Sequence, residues 1–317
     1  MINFLLKRVA YAFLILIGIT FITFILTYII PADPVRMLAG RSATPETVES
    51  IRQQLGLDRP LIIQYLNYLY NLLQGDLGRS YVQKTQVTEL IMSRLPATLL
   101  LMVGAIFFEL LIGLTVGIIS SVKRGTNLDK ILTTISFVGI SAPQFVVGLI
   151  LLYLFAYKLD ILPLGGYGTI FHLILPALTL GITGGGWYGR MTRSSMIDVL
   201  RQDYIRTAKA KGASNSRIVL IHALRNAILP IIAMIGLDIG IFMSGAVVVE
   251  SVFGWPGIGR FVLDAIMKRD FPAIQGAVLF IALIFVLIYM IFYYYGAGIV
   301  SNVALLANIF FIFVIKS

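Results

Sequence analysis

DVLRQDYIRTAKAKGASNSRIVLIHALRNAILP, residues Asp198–Pro230, is a basic segment set between apolar runs long enough to lie in a bilayer. Its local chemistry predicts helix, turn, helix. Asp198 to Lys211 carries good helix formers, with acids near the start and cations near the end, as the helix dipole favours. Gly212 fits the left-handed position after a helix, where a side chain would cost about 1–2 kcal/mol. Ser214 is placed to cap a second helix running through Ile218, Val219, Ile221, His222 and Leu224, and Pro230 falls in the first turn of the next apolar run. From Arg190 to Arg225 eight basic residues face only Asp198 and Asp203, a net of +6 out of +10 for the whole chain. That excess places this side of the membrane in the cytoplasm. Two short helices meeting at a glycine form a knob on which a partner could dock; an amphipathic pair lying on anionic lipid is the alternative.

Outward from this loop the chain is a membrane protein. Of its 317 residues 58% are hydrophobic and 13% charged, too little polar material to cover a soluble domain of that length. The expected architecture is all-α with six transmembrane helices. Val9–Ile30, about 33 Å of helix, forms the first span, retained and entered from a cytoplasmic N-terminus, so that residues 1–30 make the first unit. Residues 31–97 are expected outside: their charges nearly balance, and Thr44 before Pro45, then Gly56 before Pro60, mark a helix start and a break. Further spans are predicted at about 98–122, 130–157, 170–189, 227–249 and 273–295. They are joined by a basic cytoplasmic turn at 123–130, an external link at 158–169, the cytoplasmic loop 190–226 and an external loop 250–272. Within that last loop Ile258–Met267 is expected to form a short surface or re-entrant helix. The remaining spans thus make a transmembrane core over 98–295, and 296–317 is a further apolar tail.

The ionisable residues inside the spans are Glu109 and Asp238. A carboxylate at mid-bilayer costs about 2.5–3.5 kcal/mol, so each is expected to face protein or water, either hydrogen-bonding between helices or lining a path. Pro143, in the third span, removes a backbone hydrogen bond and is expected to kink it beside Gln144, again at a path or merely in packing. Trp255, Arg260 and Asp264 in the external loop are candidates for contact with an outside protein or for gating, or simply for loop folding. Several function classes are disfavoured. The chain has no cysteine and two histidines, His172 and His222, so no metal cluster is expected. The basic balance is read as topology and not as nucleic-acid binding. No Gly-x-Ser-x-Gly occurs, against a membrane hydrolase, and no Gly-x4-Gly-Lys-Ser/Thr phosphate loop, so any ATP chemistry belongs to another chain.

DYIRTAKAKGAS (203–214) followed by HALRNAILP (222–230) resembles the cytoplasmic loop of the permease subunits of binding-protein-dependent ABC importers, in the peptide/nickel (dipeptide and oligopeptide permease) branch. Ordered similarities continue in ATPETVESIRQQLGLDRPLIIQYLNYL (43–69), GDLGRS (75–80), SRLPATLLL (93–101), ILPALTLG (174–181), GAVVVESVFGWPGIGRFVLDAI (245–266) and RDFPAIQG (269–276), so the resemblance covers about residues 1–288. In place of the usual Glu-Ala-Ala opening stand Arg206, Thr207 and Ala208, as in this branch. The resemblance ends where relatives carry a short polar tail. Residues 289–317 instead carry YYYGAGIV (293–300) and NVALLANIFF (302–311), which resemble a membrane segment of the SecD-type export family and raise a chimeric ending or a seventh apolar segment.

The resemblance implies a type I importer permease in a bacterial or archaeal cell membrane. This subunit would carry di- or oligopeptides, or a related solute such as a nickel chelate, delivered by an extracytoplasmic substrate-binding protein. Its other implied partners are a homologous second permease, the surrounding lipid and two ATP-binding cassette ATPases, which would hold ATP and Mg; this chain would bind no cofactor. The ATPase-coupling positions implied are Asp203, Arg206, Thr207, Ala208, Ala210, Lys211, Gly212, Ala213, Ser214 and Pro230. An ion-coupled secondary transporter is the alternative function.

Overall fold

A computed structural model describes residues 2–29, 35, 43–54, 56–288 and 290. The predicted stop at Pro31 and the atypical tail lie outside the described residues. Among the described residues the chain is helical, with a single isolated bridge between Arg79 and Gln86. In order the helices are α1 (Ile2–Ile29), α2 (Pro45–Gln54), α3 (Leu61–Leu73), α4 (Val87–Val122), α5 (Asn127–Ser141) and α6 (Gln144–Lys158, π-helical from Leu152). They continue as α7 (Ile170–Leu200), α8 (Asp203–Ala210), α9 (Asn215–Ala227, π-helical over Ile218–Ala223), α10 (Leu229–Met243), α11 (Val247–Val252), α12 (Ile258–Met267) and α13 (Phe271–Ile288).

Four of these, α1, α4, α7 and α13, are long and apolar enough to cross a membrane. Two bent pairs, α5 with α6 and α9 with α10, bring the number to six if each pair is one span. Counting each bent pair as one span, the six-span expectation is met, with three differences of form. The fifth span, expected over 227–249, has its second half at Leu229–Met243, and Val247–Val252 is a separate short helix. The third span is not a kinked continuous helix: Ala142 and Pro143 adopt extended conformations, and the halves on either side diverge by 104°. Proline disfavours helical geometry at the residue before it as well as removing a donor, so the ladder breaks completely at this point. The second and fourth spans also outrun their apolar stretches, α4 by starting at Val87 and α7 by running to Leu200.

The described residues divide into two compact units. The first takes in the chain up to Thr98, Met243–Val247 and Pro256–Leu287. There α3 lies along α1, where Tyr65 packs edge-on against Phe21 and shares a hydrogen bond of 3.1 Å with Thr20. Its apolar core joins Val87, Leu90 and Ile91 of α4 to Ile258, Phe261 and Ala265 of α12 and Ala273 and Ala277 of α13. The Thr98 hydroxyl accepts the Ile258 backbone N–H at 2.9 Å, satisfying a donor that a helix start leaves open. Buried Asp270 fixes the turn after Gly78: its carboxylate accepts the Ser80 hydroxyl at 2.5 Å and the N–H groups of Tyr81 and Val82 at 3.0 and 3.3 Å.

The second unit comprises Leu99–Phe242 and Val248–Trp255. It is built on α7, whose glycines at 181, 184, 185, 186 and 189 let its neighbours approach without a Cβ in the way. A Cβ on Gly181 would collide with Phe108 of α4, and one on Gly186 would lie 2.5 Å from the Ser136 carbonyl oxygen of α5. Where lipid tails are as apolar as leucine, such close contact replaces the hydrophobic effect as the force between helices.

Candidate functional site

The stretch 198–230 folds as helix, turn, helix, but the first helix is shorter than the expected Asp198–Lys211: residues 198–200 close α7, Arg201 and Gln202 turn the chain, and α8 starts at Asp203. Helix α8 closes with two capping bonds, Gly212 N–H to the Lys209 carbonyl at 3.0 Å and Ala213 N–H to the Ala208 carbonyl at 3.1 Å, and Gly212 sits at φ +81°. These are the two bonds of a Schellman motif, which satisfies carbonyls that a helix end otherwise strands. Ser214 then caps α9 by accepting the Arg217 N–H at 3.4 Å. A Cβ on Gly212 would meet nothing within 4 Å, so its requirement within this chain is conformational. Pro230 enters α10 just after the 50° bend.

The loop is anchored on one face and open on the other. Ile205, Ile218, Ala223, Leu224 and Ala227 bury together with Met196 of α7, with Ile118 of α4 packed against the cluster. Asn226 donates to the Tyr204 hydroxyl at 2.8 Å, tying α8 to α9. On the outer side Asp203, Arg206, Thr207, Ala210, Lys211, Gly212 and Ser214 are exposed, while Ala208 and Ala213 are half-buried. The Asp203–Arg206 pair, 3.6 Å apart with both side chains in water, contributes little to stability.

An ion pair that the sequence reading passed over braces this region. Arg193 of α7 makes a two-pronged contact with Asp129 of α5, Nε to Oδ1 at 2.7 Å and Nη2 to Oδ2 at 2.9 Å. Asp129 also accepts the Gly125 N–H at 2.9 Å, closing the basic turn on itself. The signal available was a lone acid in KRGTNLDK. The Asp129 side chain is only 6% exposed, yet it is shielded by immediate neighbours and not by depth, so the pair ranks between a surface and a fully buried one. Arg193→Ala is expected to cost about 1.5–3 kcal/mol, the worth of charged hydrogen bonds, and to speed proteolysis between residues 123 and 130. Limited trypsin digestion of detergent-solubilised protein checks this.

In the membrane part, Glu109 and Asp238 converge around a tyrosine that sequence reasoning missed. The Tyr188 hydroxyl donates to Asp238 Oδ2, joining α7 to α10. The Glu109 carboxyl lies over Gly184, where any Cβ would overlap it, and the base of Tyr188 lies over Gly113 in the same way. Thus α4 and α7 interlock through two residue pairs four apart, Glu109 and Gly113 against Gly184 and Tyr188, each large side chain seated on the other helix's glycine. Glu109 is 3% exposed and its Oε2 has no hydrogen-bond partner; Asp238 is half-buried. Pro143 and Gln144 are not part of this cluster as described: they open the second half of the bent pair and are exposed.

The external-loop candidates separate. Trp255 is 0% exposed and packs edge-on to Tyr167 at 4.9 Å. Arg260 is half-buried and Asp264 exposed on α12. The expected helix Ile258–Met267 is present with those bounds.

The helical chain with its candidate spans and exposed Gly212 turn agrees with what comparison finds. Residues 113–304 match the family described as binding-protein-dependent transport system inner membrane component, and residues 1–102 match its N-terminal counterpart. The chain belongs to this family. It is similar to the glutathione transport system permease protein GsiC of Pectobacterium atrosepticum, 42% identical over 91% of this chain and 94% of that protein. It is likewise similar to GsiC of Escherichia coli strain K12, 40% identical over 92% and 95%. Among solved structures, the MetNI methionine ABC transporter in an inward-facing conformation aligns with TM-score 0.55 at 16% identity, covering 63% of this chain and 92% of that one, a likeness of fold. The protein is therefore the membrane-spanning permease subunit of an ATP-driven ABC importer, a transport component and not itself an enzyme. As a permease of this family it works with a substrate-binding protein and ATPase partners, and the ion-coupled transporter alternative is set aside.

Proposed function

We propose that this permease carries small peptides of about the size of glutathione across the inner membrane, inward from a binding protein. The observation that carries the substrate reading is the 40–42% identity to glutathione permeases, sustained over more than nine-tenths of both chains. In this reading two ATPase subunits hold ATP and Mg, and a second, homologous permease completes the path. Coupling enters through the exposed face of Asp203–Ser214 with Gly212 at its bend. The anchored inner face of that loop supports the assignment, because Ile205 of α8 shares a buried cluster with Met196 of α7, against which Ile118 of α4 packs. The basic loop and the N-terminus lie in the cytoplasm, and Arg260 and Asp264 face the binding protein.

Proteoliposomes holding the permease, its partners and internal ATP, supplied with the loaded binding protein, are expected to accumulate labelled glutathione and dipeptides. Accumulation of a nickel chelate with neither peptide would overturn the substrate reading. Uptake that persists without ATP would overturn the energetic one.

A further inference from the structure

The peptide reading leaves open how the membrane part holds its cargo, and the Glu109–Tyr188–Asp238 cluster has features that packing does not require. We propose that the half-buried Asp238 carboxylate recognises the α-ammonium group of the passing solute, with Glu109, sealed at the α4–α7 contact, acting on that site through its charge and not by contact; the proposal rests on the peptide reading above. Packing alone would be served by an apolar residue at position 109, since the room over Gly184 is available to any side chain seated there. Instead a carboxyl occupies it, nine-tenths buried, with Oε2 unused. Asp238 lies close enough to interact with Glu109 electrostatically, and the Tyr188 hydroxyl fixes one of its oxygens. A tyrosine hydroxyl has one proton to donate, so the rest of Asp238's acceptor capacity remains for another donor.

No cation of the described chain fills that role. Neither carboxyl is paired with a lysine, arginine or histidine among the described residues. The nearest arginines along α7 are engaged elsewhere, Arg193 with Asp129 and Arg190 over the rings of Phe137 and Trp187 at 4.7 and 5.7 Å. Asp238 is half-buried between Leu237 and Ile241, which are 60% and 56% exposed. A carboxylate on such a helix face is costly against lipid and favourable against a solute that brings a positive charge. An α-ammonium supplies hydrogen-bond donors together with a positive charge, which suits the acceptor capacity that Asp238 retains beside Tyr188. Glutathione and ordinary peptides carry that group.

The test uses the whole transporter in proteoliposomes, with binding protein saturated by either glutathione or its des-amino analogue, glutaryl-cysteinyl-glycine. The readout is the ratio of the two uptake rates, which cancels losses common to both. In Asp238→Asn the ratio is expected to fall about tenfold, the scale of a charged hydrogen bond, and Asp238→Glu is expected to restore most of it. Glu109→Gln is expected to lower the ratio in the same direction and decides the matter should Asp238→Asn fail to assemble. An unchanged ratio in these variants, with both rates falling together or neither falling, overturns the proposal and leaves the cluster a helix-packing device. If the unsubstituted transporter takes up neither solute, it is the peptide reading that has failed.

Discussion

Leucine in place of Gly113 is expected to prevent accumulation of folded permease. A Cβ there would collide with that of Tyr188 and lie 3.0 and 3.1 Å from the Gly185 carbonyl oxygen and the Gly189 nitrogen. Two of the three obstacles are backbone, so relief requires α4 and α7 to part, not a side chain to rotate. Overpacking of this kind costs about 1–3 kcal/mol for small insertions, and an isobutyl group exceeds them. Alanine at the same position sets two effects against each other: helix propensity favours it by about 1 kcal/mol, and the collision opposes it. We expect the collision to win, because parting the helices also forfeits the contacts around Gly117, which sits against Thr192 and the Gly189 carbonyl. The measurement is thermal unfolding followed by size-exclusion chromatography of the solubilised protein. Gly18→Ala, whose added methyl meets nothing within 4 Å, is the matched control and is expected to be neutral or slightly stabilising. Equal behaviour of Gly113→Ala and Gly18→Ala would show that the two helices are not held at this distance.

Valine at Gly212 is expected to cut ATP-driven uptake about tenfold or more while leaving membrane insertion intact. The backbone at φ +81° is disfavoured for a branched side chain by about 1–2 kcal/mol, which corresponds to about a tenfold loss of the correctly bent loop. Asparagine tolerates that conformation and is expected to retain most activity. The comparison separates two causes. Since the chain itself leaves the space around Gly212 open, an asparagine variant as impaired as valine would mean that a partner fills that space. Full uptake by the valine variant, with ATPase association unchanged, would remove the loop from the coupling path and return it to the lipid surface.

How far each feature was legible depends on the range of the interaction behind it. The loop 203–214 is set by neighbours in sequence: helix formers, a glycine two residues beyond the last helical residue, a serine cap. Each acts over three or four residues, and each is found where the sequence places it. The spans were legible because about twenty apolar residues satisfy the bilayer regardless of what surrounds them. Their ends were less so, since α4 begins at Val87 where Val87, Leu90 and Ile91 bury against α12 and α13, contacts 167 to 190 residues away in the chain. Pro143 was recognised as a disruption, but whether a proline bends a helix or breaks it depends on what else offers the freed groups a partner.

The sequence by itself determined a six-span membrane protein, its polar knob, the hinge at Gly212 and the family, because hydropathy, capping and ordered motifs are local or linear properties. The tertiary structure alone decided which side chains meet. It joined Arg193 to Asp129 and Tyr188 to Asp238 across 64 and 50 positions, seated Glu109 on Gly184, and buried Trp255 against Tyr167. The physical reason is that a carboxylate or a glycine in a helix carries no mark of its partner. That partner is fixed by helix rotation and separation, which many weak contacts set together.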